Sequence, residues 1–270
     1  MDDRVQVTIT DGVADVRLVR ADKMNALDAA MFDALVATAT RLAAEKGLRA
    51  VVLSGEGRAF CAGLDMGRFA AMKEKGGNGI AGAEARDLTV RTHGIANFPQ
   101  MAVWGWRQIP VPVIAAVHGV AFGGGFQLAL GADMRFLSAD ARMSIMEIKW
   151  GLVPDMAGTP ILASLVRDDI LRELTYTGRI FSAQEALGYG LATRICDDPR
   201  TAAFEVAREI AAKSPEAIRA AKRLLNKLSV DAAPALLAES VEQQKLIGSR
   251  NQQEAVRANI DKRAPQFVDP

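Results

Sequence analysis

The stretch HGVAFGGGFQLALGADMRF, from His118 to Phe136, places three consecutive glycines directly before an apolar segment that is typical of a buried helix. Glycine costs roughly 1 kcal/mol relative to alanine inside a helix, so a triplet at a helix start needs a physical reason. We interpret Gly123–Gly125 as a place where another group comes very close to the backbone. The polar Gln127, three residues after Gly124, is predicted to point toward the same group.

The start of such a helix has unpaired backbone N–H groups and a partial positive charge, which favour an anion or a developing oxyanion. Two nucleotide-binding motifs do not fit. A Rossmann fingerprint beginning at Gly123 requires glycine where Leu128 stands, and the Gly-Lys-Ser/Thr of a Walker loop is absent. Close packing of the helix on a strand also explains a glycine triplet, and that interpretation stays open here.

A second glycine-containing stretch, GRAFCAGLDMGRF from Gly57 to Phe69, also follows an apolar run typical of a buried strand. Two loops that end neighbouring strands can present two backbone N–H groups to one carbonyl oxygen. This arrangement is an oxyanion hole, and it stabilises the charge that develops on that oxygen in a transition state. The two stretches together therefore predict a site for a ligand carbonyl.

The composition is typical of a globular protein and gives no indication of a nucleic-acid or membrane partner. The 270 residues are 50% hydrophobic and carry a formal net charge of +1, which is not typical of a dedicated nucleic-acid binder. No apolar run approaches the ~20 residues that span a bilayer. Cys61 and Cys196 are too few for a disulfide framework and have no zinc-site spacing, so we expect a cytoplasmic location and no metal.

Strand-like and helix-like segments alternate along the chain, which predicts an α/β fold with a mostly parallel sheet. We expect a hairpin turning at Asp11-Gly12, a helix from Ala29 to Lys46 capped by Asp28, a single strand over 111–122, and two short strands within 132–145. Residues 66–107 have a weaker pattern, typical of a surface loop or of a lid over a pocket. We divide the chain into a core of residues 1–199 and a helical region of residues 200–270 that packs on the core or on a neighbouring subunit.

Five motifs in this order resemble the crotonase (enoyl-CoA hydratase/isomerase) superfamily over nearly the whole chain. They are KMNALD (23–28), AFCAGLD (59–65), PVIAAVHGVAFGGG (112–125), EIKWGLVPDMAGT (147–159) and YTGRIFSAQEALGYGLATRI (176–195). The resemblance implies a spiral of ββα units followed by a C-terminal helical trimerisation region. It also implies an acyl-coenzyme A thioester as substrate, no separate cofactor, and a homotrimer or dimer of trimers. The N–H groups of Leu64 and Gly124 would hold the thioester oxygen.

Glu147 and Asp155 are the candidate proton carriers. Hydratases of this family use two glutamates, which match positions 127 and 147, but glutamine cannot donate or accept a proton in that role. The dienoyl-CoA isomerases are similar at Glu147 and Asp155, although they carry aspartate at position 127. Dehalogenases of the family use an aspartate that matches Asp155, but they differ in having tryptophan at position 147. These comparisons favour isomerisation, with Gln127 as a substituted position that orients water or substrate.

Plain structural roles remain open for the same residues. Gln127 can hydrogen-bond a neighbouring loop, Glu147 can pair with Lys149 or Arg142, and Asp155 can cap a helix over 157–165. For coenzyme A, the resemblance implies binding by the following residues: Lys23, Ala26, Ala62, Arg68 and Lys262.

The function predicted from the sequence is an enoyl- or dienoyl-CoA double-bond isomerase. The alternative is a 2-enoyl-CoA hydratase of the fatty-acid β-oxidation type. An acyl-CoA-binding pseudoenzyme and an RNA-binding member of the superfamily are further alternatives. The RNA-binding alternative has little support, because the helix over 29–46 carries only Arg41 and Lys46 as basic residues.

Overall fold

The computed structural model describes residues 4–67, 87–227 and 232–267. Within these residues the strands are β1 (Val5–Thr10), β2 (Val13–Leu18), β3 (Ala50–Gly55), β4 (Val113–Val117), β5 (Val120–Phe122), β6 (Met134–Ser138), β7 (Arg142–Ser144), β8 (Phe181–Ser182) and β9 (Arg194–Cys196). The described strands form a six-stranded sheet in the order β1-β2-β3-β4-β6-β9 and a three-stranded sheet in the order β5-β7-β8. In the larger sheet the pairs after β1-β2 are parallel, which confirms the predicted mostly parallel sheet.

The segment 111–122, predicted as one strand, is two strands in two different sheets. The chain leaves β4 at His118 and enters β5 after Gly119, which has φ +60°. A Cβ atom at Gly119 would lie 2.1 Å from the Arg58 carbonyl oxygen, so only glycine fits this corner. The same step, from the larger sheet to the smaller one, recurs between β6 and β7 around residues 139–141.

The α-helices of the described residues are α1 (Ala29–Ala44), α2 (Phe98–Gln108), α3 (Gly124–Leu130), α4 (Gly158–Leu162), α5 (Asp168–Thr177), α6 (Ala183–Gly188), α7 (Pro199–Ala211), α8 (Pro215–Lys227), α9 (Ala232–Leu246) and α10 (Arg250–Ile260). Short 3-10 helices cover Ala21–Lys23 and Glu147–Trp150. The predicted cap of α1 is confirmed, because the Asp28 side chain accepts a hydrogen bond from the Met31 N–H. The helix ends two residues before the predicted Lys46.

Helices cover both faces of the larger sheet, which explains why its strands are apolar on both sides. On one face, Val51, Leu53 and Val117 are buried with residues of α1 and α2 in the main core. On the other face, Val52 and Ile114 pack with α7 in a second cluster. This arrangement leaves the ends of β3 and β4, and the loops that follow them, to line a cavity.

Helix α2 lies in the segment where the sequence pattern is weak. Asn97 and Gln100 form a capping box, in which the Asn97 side chain accepts from the Gln100 N–H and the Gln100 side chain accepts from the Asn97 N–H. Of the segment 66–107, expected to be a surface loop or a lid, residues 68–86 lie outside the described residues, and the part from residue 98 onward is helix α2 and not a loop.

The C-terminal helices pack on the elements that carry the candidate site. Helix α9 contacts α4, and α10 contacts the 3-10 helix over Glu147–Trp150. Helix α8 is held by an ion pair in which the buried Lys222 places its Nζ 2.8 Å from Oδ2 of the partly exposed Asp133. The division at residue 199 and the trimer stay predictions. In the described part of the chain, no helix is both long enough and apolar enough to span a membrane.

Candidate active site

A cavity of about 760 Å³ opens between the 23–27 segment, the 62–67 loop, the start of α3 and the 146–156 segment. Its lining includes most of the residues predicted from the sequence: Lys23, Ala26, Ala62, Leu64, Gly124, Glu147 and Asp155. Gln127 and Lys262 are not part of this lining, and Arg68 lies outside the described residues. Seven residues from four separate motifs are therefore brought together at one site.

Each glycine of the triplet lies against a different group, so the absence of a side chain has a different explanation at each position. A Cβ atom at Gly125 would lie 2.2 Å from the Cys61 carbonyl oxygen, so glycine is needed here for α3 to pack closely on the neighbouring backbone. Gly123 has φ +51°, and a Cβ atom there would lie 3.3 Å from Glu147 Oε1. At Gly124 the added atom would lie 2.8 Å from side-chain atoms of Leu27 and Met156. At Gly125, the group that lies against the backbone is therefore the Cys61 carbonyl. At Gly123, it is the carboxylate of Glu147, a candidate catalytic residue.

The backbone around Leu64 is held so that its N–H points away from the sheet hydrogen bonds. Leu27 donates to the Gly63 carbonyl at 2.8 Å and accepts from Asp65 at 3.1 Å, so the N–H between these two bonds takes no part in the bridge. Among the described residues we find no acceptor for the N–H of Leu64 or for that of Gly124. Both residues line the cavity. The geometry is compatible with the predicted oxyanion hole, which stays a prediction.

The Asn25 side chain fixes the 23–26 wall of the cavity. Its Nδ2 donates to the Ala59 carbonyl at 2.9 Å and to the Glu56 carbonyl at 3.0 Å, while its Oδ1 accepts from the Arg20 N–H at 2.9 Å. Asn25 has φ +54°, in the left-handed region that asparagine tolerates better than most residues. At the rim, Arg20 pairs with Asp65 at 2.6 Å. These contacts hold two loops distant in sequence against one another.

Glu147 is a buried carboxylate with one free oxygen. Its Oε1 accepts a hydrogen bond from Gln127 Nε2 at 2.6 Å, whereas its Oε2 has no hydrogen-bond partner among the described residues. Burial raises the pKa of Glu147 from its ordinary value of 4.5 to about 7, and the hydrogen bond from Gln127 opposes this rise. The carboxylate makes no ion pair with Lys149 or Arg142. At neutral pH it can both accept and donate a proton.

The Gln127 amide is fixed in one orientation and does not face the cavity. Its Oε1 accepts from the N–H groups of Met156 at 2.9 Å and Gly158 at 3.0 Å, so its Nε2 must be the atom that donates to Glu147. The expectation that this side chain points toward the ligand differs from what we observe. Gln127 instead orients Glu147 and holds the loop over 156–158, which is the neighbouring-loop role left open above.

Asp155 is a second buried carboxylate on the same cavity, and its Oδ2 has no partner among the described residues. Burial raises its pKa well above the ordinary value; the negative charges of Glu239 and Glu147 add to this, and a side-chain hydrogen bond from Gln243 opposes it. The helix-cap role is excluded, because α4 begins after Ala157, which occupies the N-cap position. Asp155 therefore lines the same cavity as Glu147, and the charge of Glu147 contributes to its raised pKa.

Sequence reasoning missed two polar residues of α9, Glu239 and Gln243. Glu239 is buried and accepts hydrogen bonds from the N–H groups of Ala157 at 2.9 Å and Thr159 at 2.8 Å. Gln243 accepts from the Val153 N–H at 3.0 Å and lines the cavity. Polar residues in a charged helix normally indicate a solvated face. The sequence carried no signal that this face turns inward.

Lys262 follows α10, has φ +53° and is exposed. Three residues before it, the Asn259 side chain donates to the Lys149 carbonyl at 2.7 Å, and Lys149 lines the cavity. The end of α10 thus lies next to the cavity rim. Among the described residues no three His, Cys, Asp or Glu side chains come together as metal ligands do.

A family model described as enoyl-CoA hydratase/isomerase matches residues 8–270. The chain is 32% identical to a carnitinyl-CoA dehydratase of Proteus mirabilis, with 99% of both chains covered. It is 33% identical to the human mitochondrial Delta(3,5)-Delta(2,4)-dienoyl-CoA isomerase, covering 78% of this chain and 64% of that protein. A crystal structure of an enoyl-CoA hydratase/isomerase from Mycobacterium paratuberculosis superposes with a TM-score of 0.84 at 26% identity, covering 95% of this chain and 98% of that one.

The fold is that of the crotonase superfamily, as the sequence resemblance predicted. Within it, the chain belongs to the enoyl-CoA hydratase/isomerase family. An acyl-CoA substrate is consistent with this family.

Proposed function

We propose that the protein is an enoyl- or dienoyl-CoA double-bond isomerase. The observation that carries this proposal is the pair of carboxylates on one cavity, Glu147 and Asp155, each with one oxygen that has no partner among the described residues. The position that would supply a second glutamate for hydration is occupied by Gln127, whose amide is already bonded at both ends. Because glutamine cannot carry a proton, Gln127 cannot act with Glu147 in adding water, and the pair that remains favours moving a proton along a chain.

In the proposed reaction the thioester oxygen accepts hydrogen bonds from the N–H groups of Leu64 and Gly124, which stabilise the enolate. Ionised Glu147, whose carboxylate lies against Gly123, takes the proton from the carbon next to the carbonyl through its free Oε2. The electron pair moves along the conjugated chain. Neutral Asp155 returns a proton at the distal carbon, so that one proton leaves, one arrives and the mass is unchanged.

The coenzyme A part of the substrate is proposed to lie along the wall that contains Lys23, Ala26 and Ala62. Lys262 is proposed to reach the phosphates from the end of α10. Arg68 keeps the same proposed role from the resemblance alone.

The test uses the purified protein with a 3,5-dienoyl-CoA and, separately, a 2-trans-enoyl-CoA, each followed by ultraviolet absorbance and product mass. We expect a gain of conjugated 2,4-diene at unchanged mass, lost in Asp155→Asn and in Glu147→Gln. Loss of the enoyl band with addition of one water would replace the proposal by 2-enoyl-CoA hydration. Tight binding of both thioesters without turnover would replace it by an acyl-CoA-binding pseudoenzyme.

A further inference from the structure

One face of α9 is polar and turned inward, toward the loop that carries Asp155. Glu239, Ser240 and Gln243 are all buried, and because Gln243 lies four residues after Glu239 and three after Ser240, the three share a face. Helix α9 packs on α4, at the end of this loop. Charged and amide side chains are rarely fully buried without a partner, so the contacts of this face identify its role.

Three side chains from two helices hold the backbone of the loop over 153–159. Gln243 accepts from the Val153 N–H, and Gln127 on α3 accepts from the N–H groups of residues 156 and 158. Glu239 accepts from the N–H groups of residues 157 and 159 with different oxygens. Ala157 has φ +66°, a backbone conformation that a residue with a Cβ rarely adopts. The loop keeps this conformation because the side chains on both sides fix it.

The hydrogen bonds of Glu239 favour its ionised form. Its Oε2 faces two N–H donors, from Ala157 at 2.9 Å and from Gln100 Nε2 at 3.1 Å, and neither can accept a proton. The Gln100 amide cannot flip, because its Oε1 already accepts from the Asn97 N–H and from Arg91. The other oxygen of Glu239 accepts from the N–H and, at 2.5 Å, from the hydroxyl of Thr159.

A nearby cation, the guanidinium of Arg91, also favours the ionised form of Glu239. The guanidinium of Arg91 donates to Gln100 Oε1 and to Ser240 Oγ, so a cation lies one side chain away. The charge of Glu239 raises the pKa of both Glu147 and Asp155, so these three buried carboxyl groups influence one another. Among buried carboxyl groups that interact in this way, protons go to the group whose anion is least well bonded. Glu147 and Asp155 each have an oxygen with no partner among the described residues, but Glu147 also accepts a hydrogen bond from Gln127 at 2.6 Å, and the charges of both glutamates raise the pKa of Asp155, so the proton goes to Asp155.

We propose that Glu239 is a positioning residue of the isomerase reaction, whose negative charge and loop contacts keep Asp155 neutral and in place in the cavity wall. This inference rests on the proposed function for its catalytic meaning. Burial raises the pKa of Glu239 to about 7, and the bonds from Thr159 and Gln100 oppose this rise. Its charge is, after burial, the next cause of the raised pKa of Asp155. Neutral Asp155 is the form that returns a proton to the substrate.

The direct test titrates Asp155 in substrate-free protein by ¹³C NMR with aspartate labelled at the side-chain carboxyl. The Asp155 signal is assigned by its loss in Asp155→Asn. In Glu239→Gln we expect the midpoint of this titration to fall by roughly one pH unit or more, because a like charge has been removed. Glu242→Gln is the matched control, since Glu242 is exposed on the same helix and pairs with Lys245. An unchanged midpoint in folded Glu239→Gln, or an equal fall in both variants, would overturn the proposal.

Kinetics add a readout that a purely structural role would not move. We expect Glu239→Gln to lower kcat with little change in KM, because Glu239 does not line the cavity, and to move the falling limb of the pH–rate profile to lower pH. Should Glu239→Gln not fold, Thr159→Ala removes one donor and leaves the carboxylate in place. Loss of this donor raises the pKa of Glu239, so Asp155 meets less negative charge and the falling limb should move to lower pH, as in Glu239→Gln; an unchanged falling limb would count against the proposal. Because the NMR titration needs no turnover, an inactive wild type with the expected shift would refute the isomerase function alone.

Discussion

Replacing Glu147 with glutamine should make the protein more stable at alkaline pH while removing its activity. Burial raises the pKa of Glu147 from 4.5 to about 7, so between these values the folded protein holds a proton that the unfolded chain has lost. The neutral, protonated form of Glu147 is the one that the folded state tolerates. Its contribution to stability is therefore fully present below about pH 4.5 and is lost as the pH rises through about 7. A pKa difference of this size corresponds to ~3 kcal/mol. The neutral amide avoids this penalty, and its oxygen can keep the hydrogen bond from Gln127.

The measurement is urea unfolding of wild type and Glu147→Gln at about pH 8.5 and at about pH 5. We expect the variant to be more stable by ~3 kcal/mol at the higher pH and by less than about 1 kcal/mol at the lower pH. Glu242→Gln, which changes an exposed side chain, should show no such difference between the two conditions. An equal gain in the free energy of unfolding at both pH values, or no gain at about pH 8.5, would refute the claim that ionisation of Glu147 destabilises the folded protein.

Two further substitutions test the geometry of the site. Gly125→Ala places a methyl carbon 2.2 Å from the Cys61 carbonyl oxygen and should destabilise the fold by ~1–3 kcal/mol or more, which lowers the midpoint of thermal unfolding. Gly188→Ala, which has open space around it, should leave the midpoint unchanged. Equal midpoints for the two variants would contradict the packing role of Gly125. Gln127→Leu removes the donor to Glu147, so the rising limb of the pH–rate profile should move to higher pH, and an unmoved limb would show that the hydrogen bond has no effect on the catalytic carboxylate.

Local features of the fold could be predicted where a single residue decides them. Asp11-Gly12 gives a hairpin turn, and both residues have positive φ as expected. The break at Gly119 could not be found in this way, because the apolar run continues across it and the reason for the break is the carbonyl group of Arg58, far earlier in the chain. Helix α2 was missed although Asn97 and Gln100 carry a capping-box spacing, since the charged, glycine-rich residues before it dominated the pattern.

The site could be predicted as far as its motifs reach. Glu147 and Asp155 were predicted as proton carriers and lie on the cavity, but the motif does not say which oxygen of each is free. Glu239 could not be predicted, because a glutamate in a polar helix is normally solvated and only the packing of α9 on α4 turns it inward. Long-range packing, which no local pattern encodes, supplied what the sequence could not.

Burying three carboxyl groups around one loop is a cost that a protein built for stability alone would avoid, because each anion loses its water. The loop over 153–159 keeps the cost bounded, since the N–H groups of residues 157 and 159 are bonded by Glu239 and those of 156 and 158 by Gln127. The one group left with an unpartnered oxygen on this loop is Asp155, and that oxygen belongs to a residue of the cavity wall. The network therefore satisfies the backbone that supports the loop and leaves one oxygen of a cavity-lining carboxylate without a hydrogen bond among the described residues.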